Sequence, residues 1–211
     1  MENYYIKFEK QINEIKNGDK KPRLLLQACC CPCSSHCLEL LAGVFDITVY
    51  FYNPNIDDEE EYTKRLNELF RFTKTADFAL DVKVVDGIYG PEVFFEMAKG
   101  MEDLPERGER CYKCYELRMK KTAEYAVLNG FDYFSTTLSI SPYKNAQWIN
   151  EIGTKLETEM EGKVKFLYSD FKKKNGYKRS IELSKEYDLY RQNYCGCKFS
   201  KRDTSSSVEN S

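Results

Sequence analysis

Leu24-Leu25-Leu26-Gln27-Ala28 runs directly into Cys29-Cys30-Cys31-Pro32-Cys33-Ser34-Ser35. The first five residues read as a short buried strand, and Ser34, Ser35, Leu38, Leu40 and Leu41 continue as a helix stopped by Gly43. A strand that turns straight into a helix is half of a βαβ unit. Here the turn carries four of the nine cysteines in the chain.

The flanking sequence repeats the alternation. Tyr5, Phe8, Ile12 and Ile15 recur at helical spacing before Gly18 and predict an N-terminal helix within residues 1–20. Ile47–Tyr52 is a second apolar strand closed by Asn53-Pro54-Asn55. An acidic helix is expected over Asp57–Thr75, a strand over Val82–Val85, and a helix opened by Pro91. Gly100–Arg110 reads as a charged loop before a helix over Tyr112–Leu128. Strands at Tyr133–Leu138 and Val164–Tyr168 enclose a helix at Asn145–Glu159, and Tyr177–Tyr187 is the last helix. The pattern predicts a doubly wound, mostly parallel five-stranded sheet with helices on both faces, a Rossmann-like arrangement of the HUP type. Residues 21–202 form its single α/β domain, and a Ser-rich tail over 203–211 is expected to be disordered. In such sheets ligands bind at the carboxyl ends of the strands, where the winding reverses. The cysteine turn sits at such an end.

Composition narrows the chemistry. A chain of 211 residues buries a core without needing disulfides to stay folded. Met1–Lys20 is charged and holds no apolar run, so neither a leader peptide nor a membrane span is expected. A cytoplasmic location follows, where thiols stay reduced and serve metals or redox chemistry. His36 is the single histidine, which argues against His-based zinc sites and Ser–His–Asp triads. A net charge of −2 excludes a strongly cationic binder but leaves room for a local basic face.

Cys30/Cys33 and Cys111/Cys114 are two C-x-x-C pairs, each at the start of a predicted helix, where the helix end favours thiolate over thiol. Four thiolates suit zinc or an iron–sulfur cluster, and spacing alone does not choose between them. A radical-SAM spacing is absent, because His36 stands where the third cysteine is required. A Gly-rich phosphate loop is absent too. Cys30-Cys31-Pro32-Cys33 also has a thioredoxin-like form, although that reading leaves Cys29, Cys111, Cys114, Cys195 and Cys197 without a role. Cys195-Gly196-Cys197 can close only a small, strained ring. It reads as a dithiol relaying two electrons, or more blandly as loop cysteines or further metal ligands.

Together these pieces resemble the cobalamin-independent epoxyqueuosine reductase family. The resemblance rests on Cys29-Cys30-x-Pro-Cys, Phe51-Tyr52-Asn53-Pro54-Asn55-Ile56, Arg110-Cys111-x-x-Cys114, Phe134-Ser135-Thr136-Thr137-Leu138, Ser141-Pro142-x-Lys144-Asn145, and Tyr190–Cys197 followed by Phe199-Ser200. It implies reduction of epoxyqueuosine to queuosine in tRNA, the last step of queuosine biosynthesis. It further implies a 4Fe–4S cluster on Cys29, Cys30, Cys111 and Cys114, and a redox-active disulfide between Cys195 and Cys197. An adjacent iron or other divalent metal would use Cys33 together with Cys29. Cys31 is expected to be a bystander and Cys37 a core residue.

The remaining candidates follow from that reading. Tyr194, Tyr112 or a bound water would supply the proton. Ser141 and Asn145 would hold the nucleoside, with Lys144, Arg191 and Lys173 as basic contacts to the RNA. Arg107, Arg110, Lys172, Lys174, Lys178 and Arg179 extend the basic set, and Tyr143, Tyr177 and Tyr190 could stack on an extruded base. For the lysine run the plain reading is a solvated loop, and for the tyrosines core packing. The implied partners are tRNA bearing epoxyqueuosine at its wobble position and an electron donor that no motif identifies, with no membrane. The rival readings are a thiol–disulfide oxidoreductase working through Cys30 and Cys33, and a structural zinc or tRNA-binding protein on the same fold.

Overall fold

The computed structural model describes residues 2–201, so the tail expected over 203–211 lies outside it. In chain order the elements are α1 (Tyr4–Lys16), β1 (Arg23–Gln27), α2 (Cys31–Leu41), β2 (Asp46–Phe51), α3 (Glu59–Thr75), β3 (Lys83–Asp86), α4 (Glu92–Ala98), α5 (Glu109–Leu128), β4 (Tyr133–Thr136), α6 (Ala146–Glu159), β5 (Lys165–Phe166) and α7 (Gly176–Glu186). The five strands form one parallel sheet in the order β3-β2-β1-β4-β5. The winding therefore reverses between β1 and β4, and the cysteine turn leaves β1 at that point.

Period-two alternation in β1 assigns the two faces. Leu24 and Leu26 pack with Ile47, Val49, Leu38, Leu41, Leu69 and Phe72 beneath α2 and α3. Leu25 turns to the other face with Phe134, Phe166, Met119, Ala123 and Ile152, beneath α5 and α6. All three leucines are fully buried. A near-continuous apolar run is what a central parallel strand covered on both sides requires.

Several elements differ from expectation in extent. β4 and β5 are shorter than the expected Tyr133–Leu138 and Val164–Tyr168, and a tight helical turn over Thr137–Ile140 takes over after β4. Two helices, α2 and α5, begin earlier than expected. α2 begins at Cys31 rather than Ser34, because Pro32 in its first turn needs no hydrogen-bond partner and its fixed φ suits a helix start. α5 begins at Glu109, so Cys111 and Cys114 both lie within its opening turns. α1 also closes a sheet edge: Gln11 Nε2 donates to the Phe166 carbonyl, and Gln11 Oε1 accepts from the Tyr168 amide. α6 approaches the sheet at Gly153, where an added Cβ would meet the Phe166 ring at 2.4 Å.

Candidate metal and thiol site

Gln27 is a fully buried polar residue at the carboxyl end of β1, and it ties three strand ends together. Its Nε2 donates to the carbonyls of Ala28 and Tyr52 and to Asn53 Oδ1, and its Oε1 accepts from Thr136 Oγ1. Asn53 Nδ2 donates in turn to the Ala28 carbonyl. The backbone entering Cys29 is thereby fixed from β2 and β4 as well as from β1.

On that platform the sulfurs of Cys29, Cys30 and Cys33 lie within 4.8 Å of one another. Cys29 Sγ and Cys30 Sγ are 3.8 Å apart. Cys30 is the N-cap residue of α2, in extended conformation, with no side chain capping the helix. Its thiol is held well below the usual range by hydrogen bonds from Cys29 and Cys33, and Arg65 and Gln192 act in the same direction. Cys29, donating to Cys30, is pushed up to about 11, and Cys33 rises for the same reason. Three convergent thiols, one of them lowered by its neighbours, form a donor set suited to a cation, since a bound metal removes the remaining protons.

Cys111 and Cys114 do not join this trio. With Arg118 they line a second, smaller cavity that also includes Lys144, Cys195 and Cys197. The four cysteines expected to share a cluster are thus divided between two groups, whose cavities have Lys144 and Cys195 in common. Cys114 is pushed up to about 11 by burial. Cys31 and Cys37 are buried within the apolar cluster on the α2 face.

Cys195 and Cys197 lie between the two cavities as free thiols, like the other seven cysteines. The backbone of their turn is gripped from a distance. Arg65 Nη1 donates to the Cys195 carbonyl at 3.2 Å and Nη2 to the Tyr194 carbonyl at 3.4 Å, Asn55 Nδ2 donates to the Cys195 carbonyl, and the Cys195 amide donates to Ser200 Oγ. Gly196 has φ +116°, and a Cβ there would meet Ile56 at 2.8 Å, so only glycine fits. The two sulfurs differ. Burial alone would raise the Cys195 thiol, but Lys144, with Nζ 2.9 Å from Sγ, and Arg118 outweigh it and bring it down. Cys197 is raised by burial and by its neighbour Cys195.

A cleft of about 240 Å³ opens over Cys29, Cys33 and Cys195, and Ser141, Tyr143, Lys144, Arg191 and Tyr194 line it. At its mouth the Arg107 guanidinium lies 4.9 Å from the centre of the Tyr143 ring, which is 51% exposed. The other expected contacts sit elsewhere. Asn145 caps α6, accepting from the amides of Gln147 and Trp148. Lys173 is exposed on the segment before α7, outside the lining of the cleft. Arg110 is buried and donates to the carbonyls of Met101, Glu102 and Leu104, so it shapes the charged loop. Arg179 is engaged with Glu39, and Tyr112 packs edge-on against Trp148. The residues that sequence reasoning missed are Gln27, Arg65, Arg118 and Gln192. One signal was present: Cys111, Cys114 and Arg118 follow i, i+3, i+7 spacing on one face of α5.

A solved structure, the U34-tRNA thiolase NcsA from Methanococcus maripaludis with its 4Fe-4S cluster, is similar over 94% of this chain and 69% of its own, with TM-score 0.52 and 11% identity. That likeness establishes the fold. Relatives named epoxyqueuosine reductase QueH are 43% identical over 184 residues in Streptococcus pyogenes (86% of this chain, 71% of the relative) and 41% over 209 residues in Staphylococcus epidermidis (94% and 86%). One from Thermotoga maritima is 38% identical over 183 residues (84% and 89%). The model of the family described as epoxyqueuosine reductase QueH matches residues 24–203, and the chain belongs to that family.

Proposed function

We propose that this protein reduces epoxyqueuosine to queuosine in tRNA, removing the epoxide oxygen as water with two electrons and two protons. The observation that carries the reading is the convergence of the Cys29, Cys30 and Cys33 sulfurs within 4.8 Å at the sheet's reversal point, beside a second thiol-lined cavity. Family membership and the thiol-rich donor set together support an iron–sulfur cofactor. Cys29, Cys30, Cys111 and Cys114 would hold it, and Cys33 with Cys29 would hold an adjacent metal ion. Once bound, such a centre supplies single-electron transfer and a Lewis-acidic iron.

The chain's own residues account for the rest. Arg107 and Tyr143 at the mouth of the cleft form a stacking platform for an extruded base. Arg191 and Lys144 give the cleft positive charge, and Ser141 lines its wall. Lys144 lowers the Cys195 thiol while burial raises Cys197, which favours Cys195 as the attacking sulfur of the dithiol and Cys197 as the buried partner. Tyr194 borders the same cleft, within reach to deliver a proton there. Asn145 and Lys173, by their positions, act outside this set.

Anaerobic preparation followed by iron and sulfide analysis, then turnover on an epoxyqueuosine-bearing anticodon stem-loop, tests the proposal. The expected result is a coloured protein with near-equal iron and sulfide and a product lighter by one oxygen. A colourless zinc protein, or a loaded protein that leaves the epoxide intact, would refute it. Among the described residues no helix is long and apolar enough to cross a membrane.

A further inference from the structure

Arg118 is the least expected charge in the molecule. It lies on α5 one turn beyond Cys114, and its side chain is 0% exposed. Nε donates back to the Cys114 carbonyl at 3.3 Å, and Nη1 reaches Asn53 Oδ1 at 3.5 Å. Nη2 is buried with no hydrogen-bond partner. The ionisable groups that act on it are the thiols of Cys114, Cys195 and Cys29 and the Tyr115 phenol, with no carboxylate among them, and of these only Cys195 is held below its ordinary value. Arg65 provides the contrast. It is as deeply buried but has Glu61 Oε1 at 2.7 Å from Nε and two carbonyls for its remaining donors.

A fully buried guanidinium with an idle donor costs several kcal/mol unless something negative compensates it. Arg118 lines the cavity that holds Cys111, Cys114 and Cys195, and it acts electrostatically on Cys29 from the other thiol group. It therefore faces the Cys111 and Cys114 thiols and has Cys29 within its field. A cubane cluster with four thiolate ligands carries a net negative charge, which grows by one on accepting an electron. A fixed cation beside it in a medium of low polarity stabilises the reduced form more than the oxidised one. An arginine keeps its charge in such a place.

We infer that Arg118 is a positioning residue whose buried positive charge retains the iron–sulfur cofactor and raises its reduction potential, making electron uptake easier. The inference rests on the cofactor reading above. The Nη2 group left idle by the protein is the donor that would meet the cofactor's negative charge. Asn53 fixes the guanidinium, and Gln27 fixes Asn53 in turn.

The test uses wild-type chain, Arg118→Met and Arg118→Lys, each loaded anaerobically, with midpoint potentials read by EPR-monitored titration. Metal-free samples are melted in parallel. In Arg118→Met electron uptake should weaken at least tenfold, which is about 59 mV for a one-electron couple. Its metal-free form should melt at or above the wild-type metal-free chain, because an uncompensated charge has gone. Arg118→Lys should keep the wild-type potential. An unchanged potential in Arg118→Met, or a metal-free Met variant that melts well below wild type, would overturn the inference. If Arg118→Met does not fold, Arg118→Lys decides alone: a tenfold loss there rejects a role for the charge, and a wild-type potential upholds it. A wild-type chain that takes up no iron and sulfide would instead sink the cofactor reading beneath.

Discussion

The cysteine turn after β1 and the Cys195-Gly196-Cys197 turn meet at one cleft, but they are built by opposite means. The first follows from local structure. A buried strand ends, Pro32 starts a helix, and Cys30 becomes the helix N-cap. The second has no regular element of its own and is held by Arg65, Asn55 and Lys144 from distant segments and by nearby Ser200. Charge follows the same division. In the first trio mutual hydrogen bonding lowers Cys30 and raises Cys29 and Cys33, while in the second pair Lys144 and Arg118 lower one sulfur and burial raises the other. A trio of that kind suits holding an ion, and an unequal pair suits thiol exchange.

Cysteine deletion separates the two roles most sharply. Cys30→Ser should abolish iron retention and lower activity by about 10³-fold or more, with the far-UV spectrum unchanged. The double change Cys195→Ser with Cys197→Ser should keep the iron and lose only repeated turnover, as iron analysis and single- against multiple-turnover assays will show. Iron lost from the double variant would erase the distinction. Arg65→Met comes next, since it removes the main anchor of the second turn and leaves Glu61 without its buried partner. Denaturant titration should find a loss of about 3 kcal/mol. Gly196→Ala strains the same turn without touching charge and should cost about 1–3 kcal/mol in the same titration. The smallest effect sharpens the asymmetry of the pair. In Lys144→Gln the Cys195 thiol loses the ammonium that lowers its pKa, so its alkylation profile should move to higher pH. Peptide-resolved mass spectrometry should find Cys197 unmoved.

The same division explains what could be read from the amino-acid order. Strand alternation at Leu24–Leu26, the helix start after Cys30 and the glycine and proline stops are short-range signals, and they predicted five parallel strands and the position of the first thiols. The motif Phe51–Ile56 was visible as a string, but its function depends on separation in the chain. Asn53 braces Ala28, 25 residues earlier, and Asn55 braces Cys195, 140 residues later. The buried arginines were hidden because a charged residue in an amphipathic helix reads as solvent-facing until tertiary structure covers it. Asn145 shows the converse. It was selected for its place beside a strand end, and helix capping accounts for its side-chain oxygen.

The hold of Gln11 on Phe166 and Tyr168 reaches beyond local packing. β5 is the last strand on its side, with only two residues in the ladder, and the first helix shields the polar backbone beside it. The conserved-family match starts at residue 24, after that helix. A polypeptide trimmed to the matched region would keep every cysteine yet present a bare strand margin to its neighbours, open to edge-on self-association in concentrated solution. The opening segment thus covers a strand margin that would otherwise lie open.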